Sequence, residues 1–443
     1  MSESIKVGVV SLGCPKNQCD AELMLARIRE AGFRLVPEAG LADVVIINTC
    51  GFIQSAKEEA IEEILEAVSR KNDGINKKIV VTGCLAQRYR EQMDEEFPEL
   101  DGILGLSENV RIAEVIRRVM DGERIVDFGQ LENHSMEGER LQSTLPHTAY
   151  LRIADGCDNC CTYCAIPQIR GHFRSRPMEK ILAEAEKLVK DGVKELILVA
   201  QDTTRYGEDL YRRLALPELL KKLCALDVKW IRLLYCYPER VTDELIETIA
   251  GEEKICKYID LPLQHCNGEI LHEMNRSGDR ESLTALIAKL REKIPGLTLR
   301  TTLMVGFPGE TEAQFTELAE FANDIRFERL GCFAYSAEEG TPAADFPNQV
   351  PDAEKEHRAD ILMEQQDIRS ADDCAARIGS VTEVVVEGYD RYSEMFFGRD
   401  ESMAPEIDGM IYFTSADKLA VGQFLPVRIT DAMDNNLLGE AAE

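Results

Sequence analysis

Residues 150–176, YLRIADGCDNCCTYCAIPQIRGHFRSR, put four cysteines into eight residues. Cys157, Cys161 and Cys164 form C-x3-C-x2-C, with Tyr163 just before the last thiol. Three thiolates on one short loop can hold three irons of a 4Fe-4S cube and leave the fourth iron without a protein ligand. That open iron is a place for a small molecule to bind. Cys157 with Cys160 and Cys161 with Cys164 also make two CxxC pairs. Zinc knuckles usually stand a long spacer apart, however, and abutting pairs would strain a single tetrahedral site. Cys160 is then a spare between ligands.

A second set of thiols is scattered rather than bunched. IKVGVVSLGC (5–14), DVVIINTC (43–50) and KIVVTGC (78–84) read as buried strands, each ending in a cysteine: Cys14, Cys50 and Cys84. Helical stretches separate them. The first, with Leu23, Met24, Leu25, Ala26 and Ile28, ends at Gly32; in the second, Ser55 and Glu58 suggest a capping box, with Ile61, Ile64, Leu65 and Val68 on one face. Strands alternating with helices make a parallel sheet, which gathers its strand C-termini along one edge. Three thiols distant in sequence would then converge as ligands of a second iron-sulfur cluster. Three unrelated core cysteines are the alternative. Cys19, on the first helix, falls outside the strand-end pattern and reads as structural.

The rest of the chain supplies the frame. Residues 121–146 lack periodicity and read as a linker between a domain at 1–120 and one at 147–374. Six strand starts follow, near Tyr150, Glu195, Trp230, Lys257, Leu299 and Phe327, with helical segments between them. The best marked helix has Ser175 and Pro177 at its start and Gly192 at its end. Six such units predict a partial (β/α)6 barrel, whose chemistry collects on the loops after the strands. Cys157 to Cys164 follow the first strand. After a charged helical stretch at 351–376, the segments VTEVVVEG, MFFGRD, MIYFTS and QFLPVRIT predict a small β-barrel over 375–443. Cys224, Cys236, Cys256, Cys266, Cys332 and Cys374 show no ligand spacing and read as buried small hydrophobes.

Of the 443 residues, 44% are apolar and 30% charged, a soluble globular composition. No stretch reaches the roughly 20 apolar residues of a membrane span, and MSESIKVGVV has no export-signal pattern. A cytoplasmic location is expected, where fourteen cysteines suggest metal chemistry rather than disulfides. The net charge of −29 disfavours wholesale nucleic-acid binding and suits a basic partner, although acidity also serves solubility. From Ala375 onward there are 13 acidic and 5 basic residues, a net of −8.

The C-x3-C-x2-C spacing with an aromatic in its last gap resembles the radical S-adenosylmethionine (SAM) superfamily, in which the open iron chelates the amino and carboxylate groups of SAM. Tyr163 is then expected to help place the adenine, partly through its backbone, or simply to pack. Among post-strand segments, AQDTTRYG offers Gln201 and Asp202 to polar atoms of SAM, PLQH offers Gln264 and His265, and RTTLMVGFPGET offers Gly306 and Gly309, where backbone can approach a planar ligand. His265 reads equally well as a hydrogen-bonded core histidine, and the glycines as turn residues.

The whole chain resembles the radical SAM methylthiotransferase family, with its N-terminal cluster domain, radical SAM barrel and C-terminal TRAM barrel. SLGCPKN (11–17), NTCGFIQSAKEE (48–59) and LVAQDTTRYG (198–207) resemble the RimO-type branch, which modifies the β-carbon of an aspartate in small-subunit ribosomal protein twelve. QCD at 18–20 departs from that branch's hydrophobic pair. The tRNA-modifying branch, typified by MiaB, has a different run after the first cysteine and a more basic TRAM domain. The resemblance implies two 4Fe-4S clusters, SAM in two uses and a low-potential electron donor such as flavodoxin or ferredoxin. It implies that SAM is cleaved at Cys157, Cys161 and Cys164 to a deoxyadenosyl radical, because no side-chain base removes a proton from an unactivated C–H bond. The cluster on Cys14, Cys50 and Cys84 is implied to present methylated sulfur. A zinc-bearing RNA-binding or scaffold protein is the competing class.

Overall fold

The computed structural model describes residues 4–442, and the chain divides into two compact units. The first holds the chain up to Ser143 with Ala154–Arg176 and Glu338–Thr341; the second holds Thr144–Ile153, Pro177–Ala337 and the chain from Pro342.

In the first unit β1 (Lys6–Ser11), β2 (Arg34–Leu35), β3 (Val44–Thr49), β4 (Lys78–Gly83), β5 (Gly102–Leu104) and β6 (Ile125–Asp127) form one parallel sheet, ordered β2-β1-β3-β4-β5-β6. Successive strand residues point to opposite faces, and both faces are covered. Val44, Ile46 and Val80 pack with Met24 and Ile28 of α1 (Pro15–Glu30). Val45, Ile47, Ile79 and Val81 pack with Ala60, Ile64 and Ala67 of α2 (Gln54–Asn72). This double coverage is why VVIINT is apolar almost without alternation and buried throughout.

Three expectations for this region change. The Ser55–Glu58 capping box does not form: α2 starts at Gln54 without a side-chain cap, and Gln54 Nε2 instead donates to Glu58 Oε1 at 2.8 Å. Its buried stripe runs through Ala60, Ile64 and Ala67, leaving Ile61 and Leu65 exposed, because small alanines let the helix lie close on the sheet. The sheet also has six strands where three were legible. β2, β5 and β6 are two or three residues long, too short to carry a period, and β6 lies within the stretch expected as a linker. Helices α3 (Cys84–Arg88), α4 (Arg90–Glu96) and α5 (Ile112–Met120) complete the layer.

Strand β7 (Thr148–Arg152) belongs to the second unit; β8 (Ala154–Asp155), α6 (Ile166–Arg170) and β9 (Arg174–Ser175) return to the first, where β8 and β9 pair antiparallel. Ser175 therefore lies in a ladder, and α7 (Met178–Lys190) starts after Pro177 without a side-chain cap. In the second unit β7 is followed by β10 (Glu195–Val199), β11 (Trp230–Leu233), β12 (Ile255–Asp260), β13 (Thr298–Val305) and β14 (Arg329–Ala334). These six strands are parallel neighbours in chain order, as in an open (β/α)6 barrel.

The helix Asp352–Ala376 leads into β15 (Val381–Asp390), β16 (Met395–Arg399), β17 (Ile411–Thr414), β18 (Phe424–Met433) and β19 (Asn436–Ala441). They close as β15-β16-β17-β19-β18 around Val384, Val386, Phe413, Ile429 and Leu437. Only four of these strands were legible. The fifth, NLLGEA, buries just Leu437 and Gly439, a pattern too sparse to read.

Candidate cluster and cofactor site

Because β1, β3 and β4 are adjacent and parallel, their C-termini share one edge of the sheet. Cys14 precedes α1, Cys50 directly follows β3 and Cys84 opens α3 after β4. Gly13 adopts φ +86°, and a Cβ there would stand 2.8 Å from Cys50 Sγ, so only glycine lets these two chain segments meet. Beneath the thiols, Asn17 Nδ2 donates to the carbonyls of Leu12 (2.7 Å), Asn48 (3.2 Å) and Thr49 (3.1 Å). Asn48 Nδ2 donates back to Asn17 O at 2.8 Å, and Thr49 Oγ1 donates to Thr82 O at 2.6 Å. The three strand ends are thus locked by buried side chains.

The thiols sense one another and Arg170. Burial pushes Cys84 up to about 12, against the pull of Arg170 and with the push of Cys14 and Cys50. Burial likewise raises Cys50. At Cys14 burial also opposes ionisation, but Lys16, Arg170 and the backbone N–H groups of Asn17 and Lys16 outweigh it and hold this thiol below its ordinary value. Among the described residues no three His, Cys, Asp or Glu crowd together as one bare metal ion requires. Three cysteine thiols at one sheet edge are a donor set of the kind an iron-sulfur cluster takes.

The bunched cysteines lie in the same unit, on the connection between β8 and β9. Cys157, Cys161 and Cys164 are half-buried, Tyr163 likewise, and Cys160 is exposed with φ +52°. Cys157 N donates to Gly171 O at 3.1 Å and Cys164 N to Cys161 O at 3.0 Å, which folds the loop back on itself. Ala165, the neighbour of Cys164, shares a buried cluster with Ile169, Leu106 and Cys84. Cys84 of the strand-end set thus shares its packing with the residue that follows the bunched set.

A buried charged network that sequence reasoning missed supports both sets. Arg170 Nη1 pairs with Asp20 Oδ2 at 2.8 Å and Asp155 Oδ2 at 3.4 Å; Nη2 donates to Asn17 Oδ1 at 3.2 Å and Cys84 Sγ at 3.6 Å. His134 lies between Asp20 (3.2 Å) and Asp155 (2.9 Å). Burial works against charge on His134, but the two carboxylates prevail and raise it. The only signal in the sequence was that Asp20, Asp155 and Arg170 lie near cysteines; no spacing marked them as partners.

The other candidate residues sit in the second unit. Asp202, on the loop after β10, is buried and accepts from Thr204 Oγ1 (2.5 Å), Arg205 N (3.2 Å) and Arg240 Nη1 (3.1 Å), so it holds its own turn. Gln201 is half-buried beside it. Gln264, at φ +71°, bridges to β13: its N–H donates to Thr302 O and its carbonyl accepts from Met304 N. His265 is fully buried, and burial lowers it to about 3; its Nδ1 accepts from Asn267 N at 2.9 Å, the hydrogen bond of a core histidine. A Cβ at Gly306 would meet Lys355 Cγ at 2.0 Å, so the close approach there is to a lysine stem. Gly309 rims a cavity of about 640 Å³ with Glu269, His272 and Gln314. Of the remaining thiols, Cys236, Cys256, Cys266 and Cys374 are buried as expected, whereas Cys224 and Cys332 are only half-buried. Among the described residues no helix is long and apolar enough to cross a membrane.

Comparison with known proteins adds family to geometry. Residues 6–105 match the model described as uncharacterized protein family UPF0004, residues 151–322 the radical SAM superfamily and residues 378–442 the TRAM domain. The chain is 48% identical over 443 residues to the ribosomal protein uS12 methylthiotransferase RimO of Desulforamulus reducens, covering 99% of each. It is 46% identical over 442 residues to the protein of that name from Trichlorobacter lovleyi, covering 99% of this chain and 98% of the other. Among solved structures, the radical SAM methyltransferase TsrM from Kitasatospora setae superposes with a TM-score of 0.57 at 14% identity, over 77% of each chain, a likeness of fold. Identity of this extent, together with the three matched domains in order, places the chain in the RimO family of radical SAM methylthiotransferases.

Proposed function

We propose that this enzyme adds a methylthio group to the β-carbon of an aspartate in small-subunit ribosomal protein uS12. One 4Fe-4S cluster would be held by Cys157, Cys161 and Cys164, with SAM on its open iron, and a second by Cys14, Cys50 and Cys84. The observation that carries the substrate is the full-length identity to proteins named for uS12. Once bound, the clusters and SAM supply the one-electron chemistry that an unactivated C–H bond demands, and the sulfur. The chain's own residues hold and orient. Lys16 and Arg170 offset thiolate charge, Asn17 and Asn48 fix the strand ends, and Tyr163, Gln201, Asp202 and Gln264 are the proposed contacts to SAM. A low-potential flavodoxin or ferredoxin is the proposed electron donor.

Charge supports the same substrate. The chain carries −29 overall and −8 from Ala375 onward. A ribosomal protein is basic and would be steered in, while tRNA would be repelled. The test is an anaerobic reaction with SAM and reductant that offers uS12 and tRNA together, read by mass spectrometry. A methylthio group on a uS12 aspartate is the expected product. The group found on tRNA alone would overturn the assignment.

A further inference from the structure

We propose that Arg170 is a positioning residue for sulfur transfer: its guanidinium hydrogen-bonds the Cys84 sulfur, ties that thiol to the Cys157–Cys164 loop and raises the reduction potential of the cluster on Cys84. This rests on the reading above that Cys84 is a cluster ligand.

The geometry is that of a fork with two jobs. Nη2 points to Cys84 Sγ at 3.6 Å, while Nη1 pairs with Asp155, two residues before Cys157, and with Asp20 of α1. Arg170 is almost fully buried at the end of α6, six residues after Cys164. A guanidinium cannot shed its proton, so burial requires compensation. Asp20 and Asp155 provide it, with His134 between them. These two carboxylates cancel much of the arginine's distant field. What remains at the sulfur is a charge-assisted N–H donor, and hydrogen bonds to cluster sulfurs help set the potential.

Sulfur transfer gives that bond a purpose. Bound there, the cluster would supply the methylthio group to a carbon radical: one C–S bond would form as one Fe–S bond broke, and the core would keep one electron as it lost that anionic ligand, so it would be reduced while the net charge of the site stayed the same. Iron in a reduced core draws less charge from its thiolates, so a donor on Cys84 would interact more strongly with that state and favour the transfer. Residues that orient a metal's ligands typically matter by roughly 10–100-fold in activity.

The test uses the full chain with Cys157, Cys161 and Cys164 changed to Ala, leaving a single cluster to observe. Its midpoint potential is measured by titration followed by electron paramagnetic resonance, with Arg170 intact, as Arg170→Lys and as Arg170→Gln. The expected result is a potential lowered in Arg170→Gln and lowered less in Arg170→Lys, which keeps the charge but not the fork. A merely structural arginine would change melting temperature and leave the potential in place, so unchanged potentials overturn the proposal. If Arg170→Gln fails to fold or to load iron, Arg170→Lys decides by the same criterion. Absence of any cluster with Arg170 intact would instead overturn the ligand assignment on which the proposal rests.

Discussion

The carboxylate of Glu195 meets the guanidinium of Arg399 at 2.7 Å with neither side chain exposed. Glu195 opens β10 and Arg399 ends β16, so within the second unit the pair fastens the C-terminal barrel to the parallel sheet. Arg232 Nε donates to the other oxygen of Glu195 at 2.8 Å, and Glu387 also pairs with Arg399 at 2.7 Å. Burial opposes the charge on Glu195, but the two guanidiniums overcome it and bring its pKa down to about 2.

Changing Glu195 to Gln would leave Arg232 and Arg399 facing each other in the interior. Breaking one side of a buried ion pair costs about 3–5 kcal/mol, which denaturant unfolding of the full chain should register at the C-terminal barrel. The sign follows from the depressed pKa. The stabilisation is present above the ordinary carboxyl value of 4.5 and is lost as pH falls toward about 2. Wild type and variant should therefore differ at neutral pH and converge in acid.

Separate replacement of the two cysteine sets distinguishes their roles. Alanine at Cys157, Cys161 and Cys164 should remove about half of the iron and abolish SAM cleavage. Alanine at Cys14, Cys50 and Cys84 should remove a similar share, retain SAM cleavage and abolish methylthio transfer. Iron analysis and chromatography of the SAM products check both. Cleavage persisting in the first variant would mean that the sets have been assigned in reverse.

Gly13→Ala should act like the loss of a ligand without removing one. The added Cβ would lie 2.8 Å from Cys50 Sγ at a φ of +86°, and such strain costs of order 1–3 kcal/mol. The expected readout is iron lost from the strand-end site, measured in a background lacking the bunched cysteines. Full iron content would show that the edge can yield.

His134 makes the first unit sensitive to alkali. Its pKa is raised because Asp20 and Asp155 outweigh burial. Its contribution is thus complete below the unfolded value near 6.5 and lost as pH rises through the folded one. Calorimetry should find the first unit melting higher at pH 6 than at pH 9. His134→Gln, which leaves two buried carboxylates short of a positive partner, should lose about 3 kcal/mol at the lower pH and flatten the profile.

Local order was legible where residue type alone dictates it. The apolar runs before Cys14, Cys50 and Cys84 had to be strands, the alternation with helices had to make the sheet parallel, and a parallel sheet has one C-terminal edge. The bunched thiols and the six later strands were readable for the same reason. Short strands such as β5 and β6 were not, since two or three residues carry no period, and the burial of Ala60 rather than Ile61 depended on how closely α2 lies against its sheet. Nor could spacing reveal that Asp20, His134, Asp155 and Arg170 meet. A buried charge is tolerable only beside its partners, and those partners come from segments up to 150 residues apart. The sequence by itself marked which thiols are candidates for iron, because that reading needs only the spacing of the bunched set and the strand ends of the other; which charges surround them was decided only by tertiary structure, because electrostatic compensation depends on distance in space.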